Sequence, residues 1–167
     1  MPLVKRKPRH VVRESANDYR TTPTTYLLDV NVLIAMLDPL HVHHARAHAW
    51  FSTESASWAT CALIQNGVLR LMAHPRYSNP VTSVAEAAPL LTKLCASPDH
   101  RFWPCDYSLL DTPLVDANRL LNSSQITDTY LLTAAMRADA RLVTFDQGVP
   151  QLLATDAERR RHVLVLG

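Results

Sequence analysis

The sequence has 167 residues, of which 47% are hydrophobic, and its formal net charge is +2. This length fits one globular domain with its own core, and no membrane span or secretory signal is visible, so we expect a cytoplasmic protein without a membrane segment. Cys61, Cys95 and Cys105 are odd in number and lack a paired spacing, which favours reduced thiols over a disulfide framework.

The N-terminus carries most of the positive charge. Residues 1–24 hold six basic and two acidic side chains, whereas the rest of the chain holds 11 basic and 13 acidic ones. The stretch has no apolar periodicity and ends in a run of Thr around Pro23, so we predict a basic, flexible tail ahead of a domain at residues 25–167. Such a tail can contact nucleic acid or acidic partners, and a leader without function is the simpler interpretation.

The domain opens with a short apolar run that ends in a carboxylate. We predict a strand at residues 26–28, ended by Asp29, and then a helix for which Asn31 is a candidate N-cap. His44 and His48, near the start of a second helix, have a spacing that can bind a metal from one helix face. No third ligand matches them, so we interpret the pair as a solvated helix start.

Helices and strands alternate along the rest of the domain. We predict further strands at residues 57–60, 100–104, 141–146 and 162–166, and helices at residues 45–51, 61–73, 84–96, 113–121 and 126–138. Thr60 and Ser83 are candidate N-caps. This alternation predicts an α/β fold in which helices cover both faces of a mainly parallel sheet of about five strands.

Three aspartates are expected at one edge of this sheet. Asp29 and Asp146 each end a predicted strand, and Asp128 lies in the first turn of a helix. The carboxyl ends of parallel strands meet at one edge, where open α/β sheets bind their ligands. Taken singly, Asp128 also fits a helix-dipole carboxylate, and Asp146 fits a turn residue before Gly148.

Together, the three carboxylates favour a metal site. Clustered carboxylates repel one another unless a cation neutralises them, and oxygen ligands with few His or Cys nearby select Mg²⁺ or Mn²⁺. Such an ion can activate water and stabilise charge at a phosphodiester. The residues alone therefore indicate metal-dependent phosphoryl hydrolysis.

Four blocks in a fixed order resemble a known family. Over about residues 25–167 the chain resembles the PIN-domain ribonucleases of the VapC toxin type. The blocks that carry the resemblance are LLDVNVLIA, WATC with NGVLRL, ITDTYLLTAA and RLVTFD. The resemblance implies a three-layer α/β/α fold. It also implies an enzyme that cleaves single-stranded RNA with Mg²⁺, or with Mn²⁺ as a substitute. By this resemblance the metal ligands are Asp29, Asp128 and Asp146, and the polar partners in the catalytic site are Asn31 and Thr144.

One position departs from the family. The second acid of the family falls on Gln65, which supplies no charge. Three explanations stay open: a site built around one metal, a substitute acid such as Asp106 or Glu86, or weakened catalysis. Arg70, on the same predicted helix, fits either a surface ion pair or a phosphate contact.

The resemblance also implies a function and partners. We expect a Mg²⁺-dependent endoribonuclease, the toxin of a type II toxin–antitoxin system, that forms a homodimer and whose acidic groove receives the tail of a cognate antitoxin. The alternative is a catalytically weakened PIN-like module that binds an antitoxin or RNA without cleavage.

Overall fold

The computed structural model describes residues 25–54, 57–79, 83–111 and 115–167. Its strands are β1 Tyr26–Leu28, β2 Trp58–Cys61, β3 His100–Trp103, β4 Arg141–Thr144 and β5 Val163–Val165. Its helices are α1 Val30–Leu37, α2 His44–Glu54, α3 Ala62–Met72, α4 Val84–Cys95, α5 Gln125–Arg137 and α6 Asp156–His162. The strands form one parallel sheet in the order β3-β2-β1-β4-β5. The predicted α/β fold with about five parallel strands is confirmed.

Strand β1 lies at the centre of the sheet because its side chains are apolar on both faces. Leu27 and Leu28 have no exposed surface, and β1 pairs with β2 on one side and with β4 on the other. Strands β2 and β3 follow on one side of β1, and strands β4 and β5 lie on its other side. This reversal opens a crevice beyond the carboxyl ends of β1 and β4.

The helices cover both faces of the sheet, as expected for three layers. Helix α1 packs on α2 and α3, and α3 packs on α4, whereas α5 packs on α6 and both contact β4. Trp58, Met72 and Leu131 are among the largest side chains of the core that these layers enclose. None of the described helices is long and apolar enough to cross a membrane.

Two predicted N-caps are wrong. Asp29, not Asn31, is the N-cap of α1, and its carboxylate accepts the N–H of Val30. Strand β2 continues to Cys61, so Thr60 lies inside a strand and does not cap α3. Both errors placed the start of a helix one or two residues from its actual position, and a side chain one residue away points in a different direction.

In its described part, one predicted helix is only a short turn, and one helix of the structure was not predicted. Of the helix predicted at residues 113–121, the described part contains a single 3₁₀ turn at Ala117–Arg119, and residues 112–114 lie outside the described residues. The predicted tail at residues 1–24 also lies outside them. Helix α6 was missed, although Thr155 and Glu158 at its start form a capping box.

The two histidines at the start of α2 each bond to the end of α1, although His48 is exposed and His44 is half-buried. Nδ1 of His44 lies 2.8 Å from the carbonyl oxygen of Ala35, and Nε2 of His48 lies 3.0 Å from that of Met36. Carbonyls in the last turn of a helix have no partner inside the helix, so each ring donates its N–H to one of them. The pair fastens α2 to the end of α1 and is not arranged as a metal site.

Candidate functional site

A cavity of about 550 Å³ opens at the carboxyl ends of β1 and β4. Four of the five predicted site residues line it: Asp29, Asn31, Asp128 and Asp146. The fifth, Thr144, is fully buried directly behind Asp29. The fold therefore brings together residues from three elements that are far apart in the sequence.

Asp29 is held in a fixed orientation at the end of β1. Its Oδ2 accepts hydrogen bonds from the Thr144 hydroxyl at 2.7 Å and from the Asn31 amide at 2.9 Å. Its Oδ1 accepts the N–H of Val30 at 2.7 Å. A carboxylate oxygen has two lone pairs, so Oδ1 keeps one that these protein bonds do not use.

Asn31 joins the ends of the two central strands. Its amide nitrogen donates to Asp29 Oδ2 and to Thr144 Oγ1, the latter at 3.0 Å, and its carbonyl accepts the N–H of Phe145 at 3.2 Å. Thr144 Oγ1 also accepts the N–H of Asp146 at 3.0 Å. The amide of Asn31 thus uses both donors and one acceptor on protein groups, and it positions Asp29.

Asp128 and Asp146 approach the same cavity from other elements. Asp128 lies in the first turn of α5, and burial, followed by the charges of Asp29 and Asp146, raises its pKa to about 6. Burial also raises the pKa of Asp29, against the hydrogen bond from Thr144, and the charge of Asp146 adds to the rise. Asp146 itself is exposed, and its Oδ1 accepts the N–H of Gly148 at 2.6 Å.

This donor set fits a hydrated divalent cation. Burial is the main cause of the raised pKa values of Asp29 and Asp128, and repulsion between the carboxylates, which a cation would relieve, adds to it. In the described part of the chain, however, no three His, Cys, Asp or Glu side chains form a group that could hold a metal by themselves. Carboxylates that repel one another, without a complete set of protein ligands, are compatible with Mg²⁺, because this ion keeps several waters and takes only one or two carboxylates directly.

The substitute acids considered for Gln65 do not reach the cavity. Asp106 lies beside a small separate pocket with Trp103 and Tyr107, and Glu86 is exposed in the first turn of α4. Among the described residues, the carboxylates that line the main cavity are the three predicted ones. The site thus has three formal negative charges.

Gln65 faces away from the cavity as well. Its amide donates to Thr60 Oγ1 at 3.0 Å, and its side chain lines a second pocket between α3 and α4. The neighbouring Asn66 lines the main cavity instead, together with Arg70. Sequence reasoning missed Asn66, although its spacing of four from Arg70 places both on one helix face.

A second wall of the cavity was also missed. His41, from the turn between α1 and α2, and Tyr77, from the loop after α3, also line it. Neither residue lies in a helix or strand, so no periodicity could have indicated its position. Both are half-buried.

The sequence matches one protein family and is similar to several characterised relatives. Residues 26–152 match the PIN domain family. Ribonuclease VapC44 of Mycobacterium tuberculosis is 45% identical over 141 residues, which are 84% of this chain and 98% of that protein. Ribonuclease VapC38 of the same organism is 41% identical over 124 residues, 74% of this chain and 86% of that protein.

Solved structures show the same fold at low identity. The sarcin–ricin loop cleaving toxin VapC20 of Mycobacterium tuberculosis aligns with a TM-score of 0.54 at 11% identity, over 74% of this chain and 92% of its own. A Pyrobaculum aerophilum protein aligns with a TM-score of 0.54 at 18% identity, over 90% of both chains. At these identities the likeness concerns the fold.

Proposed function

The chain belongs to the PIN-domain family, among its VapC-type ribonucleases, and from that premise we propose that it is a Mg²⁺-dependent endoribonuclease acting as the toxin of a toxin–antitoxin pair. The observation that carries the proposal is the convergence of Asp29, Asp128 and Asp146 on one cavity at the carboxyl edge of the sheet. Relatives at 45% and 41% identity that are ribonucleases support RNA as the substrate.

Asp29, Asp128 and Asp146 would hold the ion, in part through its bound waters, and Mn²⁺ would substitute for Mg²⁺. When bound, such an ion polarises a phosphoryl oxygen and lowers the pKa of a bound water. Asp29 presents Oδ1, because Thr144 and Asn31 occupy its Oδ2. The role of these two residues is to orient the Asp29 carboxylate, and neutral pH keeps Asp128 ionised since its pKa is about 6.

Arg70 is proposed as a contact for the RNA backbone. Its side chain is exposed at the cavity, and it forms no ion pair within the described residues. A guanidinium in that position can bind a phosphate with two parallel hydrogen bonds. This favours the phosphate contact over the surface ion pair, the other interpretation of Arg70.

A cognate antitoxin and a homodimer belong to the same proposal. An acidic cavity attracts a basic segment, so an antitoxin tail with Arg or Lys would compete with the metal-bound RNA. Purified antitoxin should therefore inhibit RNA cleavage by the full-length chain. Light scattering of the purified chain at several concentrations would test the homodimer.

Cleavage of RNA under controlled metal concentration tests the proposed activity. Purified protein should cleave single-stranded RNA with Mg²⁺ or Mn²⁺ and not with EDTA, and Asp29→Asn should abolish cleavage. Asp106→Asn is the matched control, because Asp106 lies outside the cavity, and it should cleave as the wild type does. Asp29→Asn with full activity would contradict the proposal.

The non-catalytic alternative predicts a different result in this assay. A module that only binds RNA or an antitoxin would shift RNA in a binding assay and leave it intact at every Mn²⁺ concentration. The position of Gln65 gives this alternative no support, because Gln65 does not line the cavity.

A further inference from the structure

A buried carboxylate, that of Asp38, holds the two segments from which His41 and Tyr77 line the cavity. Asp38, at the end of α1, is 5% exposed and has no cationic partner among the ion pairs of the described residues. Its Oδ2 accepts hydrogen bonds from the Tyr77 hydroxyl at 2.6 Å and the Asn79 amide at 3.1 Å, and its Oδ1 accepts the N–H of Leu40 at 2.9 Å. Burial acts to raise the pKa of Asp38, but these bonds outweigh it and lower the pKa. The carboxylate therefore stays ionised and holds its donors.

These hydrogen bonds fix two segments that have no regular structure. The loop after α3 is attached through Tyr77, and the turn after α1 through Leu40 and through His41, whose N–H donates to the Asp38 carbonyl at 3.1 Å. Tyr77 and His41 both line the main cavity. Because the hydroxyl of Tyr77 is bonded to Asp38, the ring is the part of this side chain that is left for contact with a ligand.

The ring of His41 has a defined tautomer. Its Nδ1 accepts the N–H of His43 at 3.1 Å, and a backbone N–H can only donate, so the proton of the neutral ring is on Nε2. That Nε2–H has no protein partner among the described residues. A half-buried donor without a partner, beside an open cavity, is suited to bind a ligand acceptor.

The turn that carries His41 is also fastened to the acidic edge. The ring of His43 stacks on that of Phe145, with 4.3 Å between centroids and 16° between planes. Phe145 directly precedes Asp146, and its N–H donates to Asn31. The wall formed by His41 and Tyr77 is thus held at a fixed position relative to the aspartates.

We propose that Tyr77 and His41 bind the base of the RNA nucleotide next to the scissile phosphate. The Tyr77 ring stacks on the base, and His41 Nε2–H donates to an acceptor on the base edge. Protein aromatics commonly bind unstacked bases of single-stranded RNA in this way. The inference rests on the proposed ribonuclease function, and Asp38 acts in it as a positioning residue.

Binding measurements separate stacking from a purely structural role. The probe is a fluorescent single-stranded RNA of about 12 nucleotides and mixed sequence, titrated with the full-length chain in Ca²⁺ and followed by anisotropy. Removal of a stacked aromatic costs about 5-fold to 100-fold in affinity. We expect that loss for Tyr77→Leu and a clearly smaller loss for Tyr77→Phe, which keeps the ring and removes only the hydrogen bond to Asp38.

Asn79→Ala is the matched control. Asn79 donates to the same Oδ2 of Asp38 as Tyr77 does, but it does not line the main cavity. If Tyr77 served only to satisfy Asp38, Asn79→Ala and Tyr77→Phe would weaken RNA binding as much as Tyr77→Leu. That result, or unchanged affinity in Tyr77→Leu, would overturn the proposal.

Cleavage mapping tests the role of His41. Random-sequence RNA is digested with Mn²⁺ and the cut sites are sequenced. The wild type should prefer a base at one position beside the cut, and His41→Ala should flatten that preference. An identical preference in both would overturn the His41 contact. If the wild type cleaves no RNA although Tyr77→Leu lowers its affinity as described, the ribonuclease proposal fails and the stacking contact stands.

Discussion

The hydroxyl of Thr144 donates a hydrogen bond of 2.7 Å to Oδ2 of Asp29, and it thereby connects the ends of the two central strands, β4 and β1. The same hydroxyl accepts from the Asn31 amide and from the N–H of Asp146. A hydroxyl has one donor and two acceptor lone pairs, so Thr144 uses its full capacity on the site. Asp29 and Asp146 are consequently held by one shared group.

Replacement of Thr144 by Val should destabilise the protein. Val has nearly the same shape, so the main loss is the hydroxyl, which leaves buried partners without a bond at a cost of about 1–3 kcal/mol. Urea denaturation measures the free energy of unfolding.

Thr133→Val is the matched control, because the hydroxyl of Thr133 is fully buried and has no partner among the described residues. It should be neutral or stabilising. Equal effects of the two substitutions would contradict the assigned role of Thr144.

An added acid should strengthen metal binding at Asn66 and not at Gln65. Asn66 lines the cavity, whereas Gln65 lies in another pocket and donates to Thr60. Asn66→Asp and Gln65→Glu each replace an amide by a carboxylate of the same shape, so charge is the variable. Calorimetric titration with Mn²⁺ should show higher affinity for Asn66→Asp and wild-type affinity for Gln65→Glu. The reverse order would mean that α3 presents a different face to the cavity.

The metal-free protein should lose stability as the pH rises through the pKa of Asp128. Burial, with the charges of Asp29 and Asp146, raises that pKa from 3.8 to about 6. Between these values the folded state binds a proton that the unfolded state has released, so the free energy of unfolding falls with rising pH.

The free energy of unfolding should be measured against pH for the metal-free wild type and for Asp128→Asn. The variant should lack the decline that comes from the titration of Asp128. Mn²⁺ should raise the melting temperature of the wild type more at about pH 7 than at about pH 5, because the ion binds the ionised carboxylates. A wild-type profile that coincides with that of Asp128→Asn would show that Asp128 titrates normally.

Gly67 permits the close packing of α3 on α1, and Ala should not fit in its place. A Cβ at Gly67 would lie 2.8 Å from Cγ2 of Val30, a stiff side chain in a helix. Overpacking costs about 1–3 kcal/mol, which offsets the gain of about 1 kcal/mol from better helix propensity. Gly67→Ala should therefore lower the melting temperature. In a Val30→Ala background the clash is removed, and the same substitution should raise it.

The positions of the strands along the chain and the three aspartates could be predicted from the sequence because each depends on local pattern, whereas the order of the strands in the sheet was not predicted. Leu27 and Leu28 form a continuous apolar run, typical of a strand buried on both faces. The parallel pairing of β1 with β4, which the structure supplies, then brings Asp29 and Asp146 to one edge. Family membership and the three-layer fold are confirmed, while the metal-binding roles of the aspartates stay a prediction.

The rest of the site depends on directions that a sequence pattern does not define. Gln65 and Asn66 are adjacent in the chain, yet a step of one residue on a helix turns the side chain by about 100°, from one pocket to another. The wall of His41 and Tyr77 depends on a tertiary hydrogen bond to Asp38, 39 residues away from Tyr77. Such contacts follow from packing and leave no periodic signal.

The central claim is that Asp29, Asp128 and Asp146 together hold the divalent ion on which RNA cleavage depends. Crystals of the full-length chain grown with Mn²⁺ and measured near the manganese absorption edge test it directly. We expect an anomalous difference peak in the cavity between these three carboxylates, and no peak there in Asp128→Asn. A manganese peak only elsewhere, or no peak in a protein whose RNA cleavage still requires Mn²⁺, would contradict the claim.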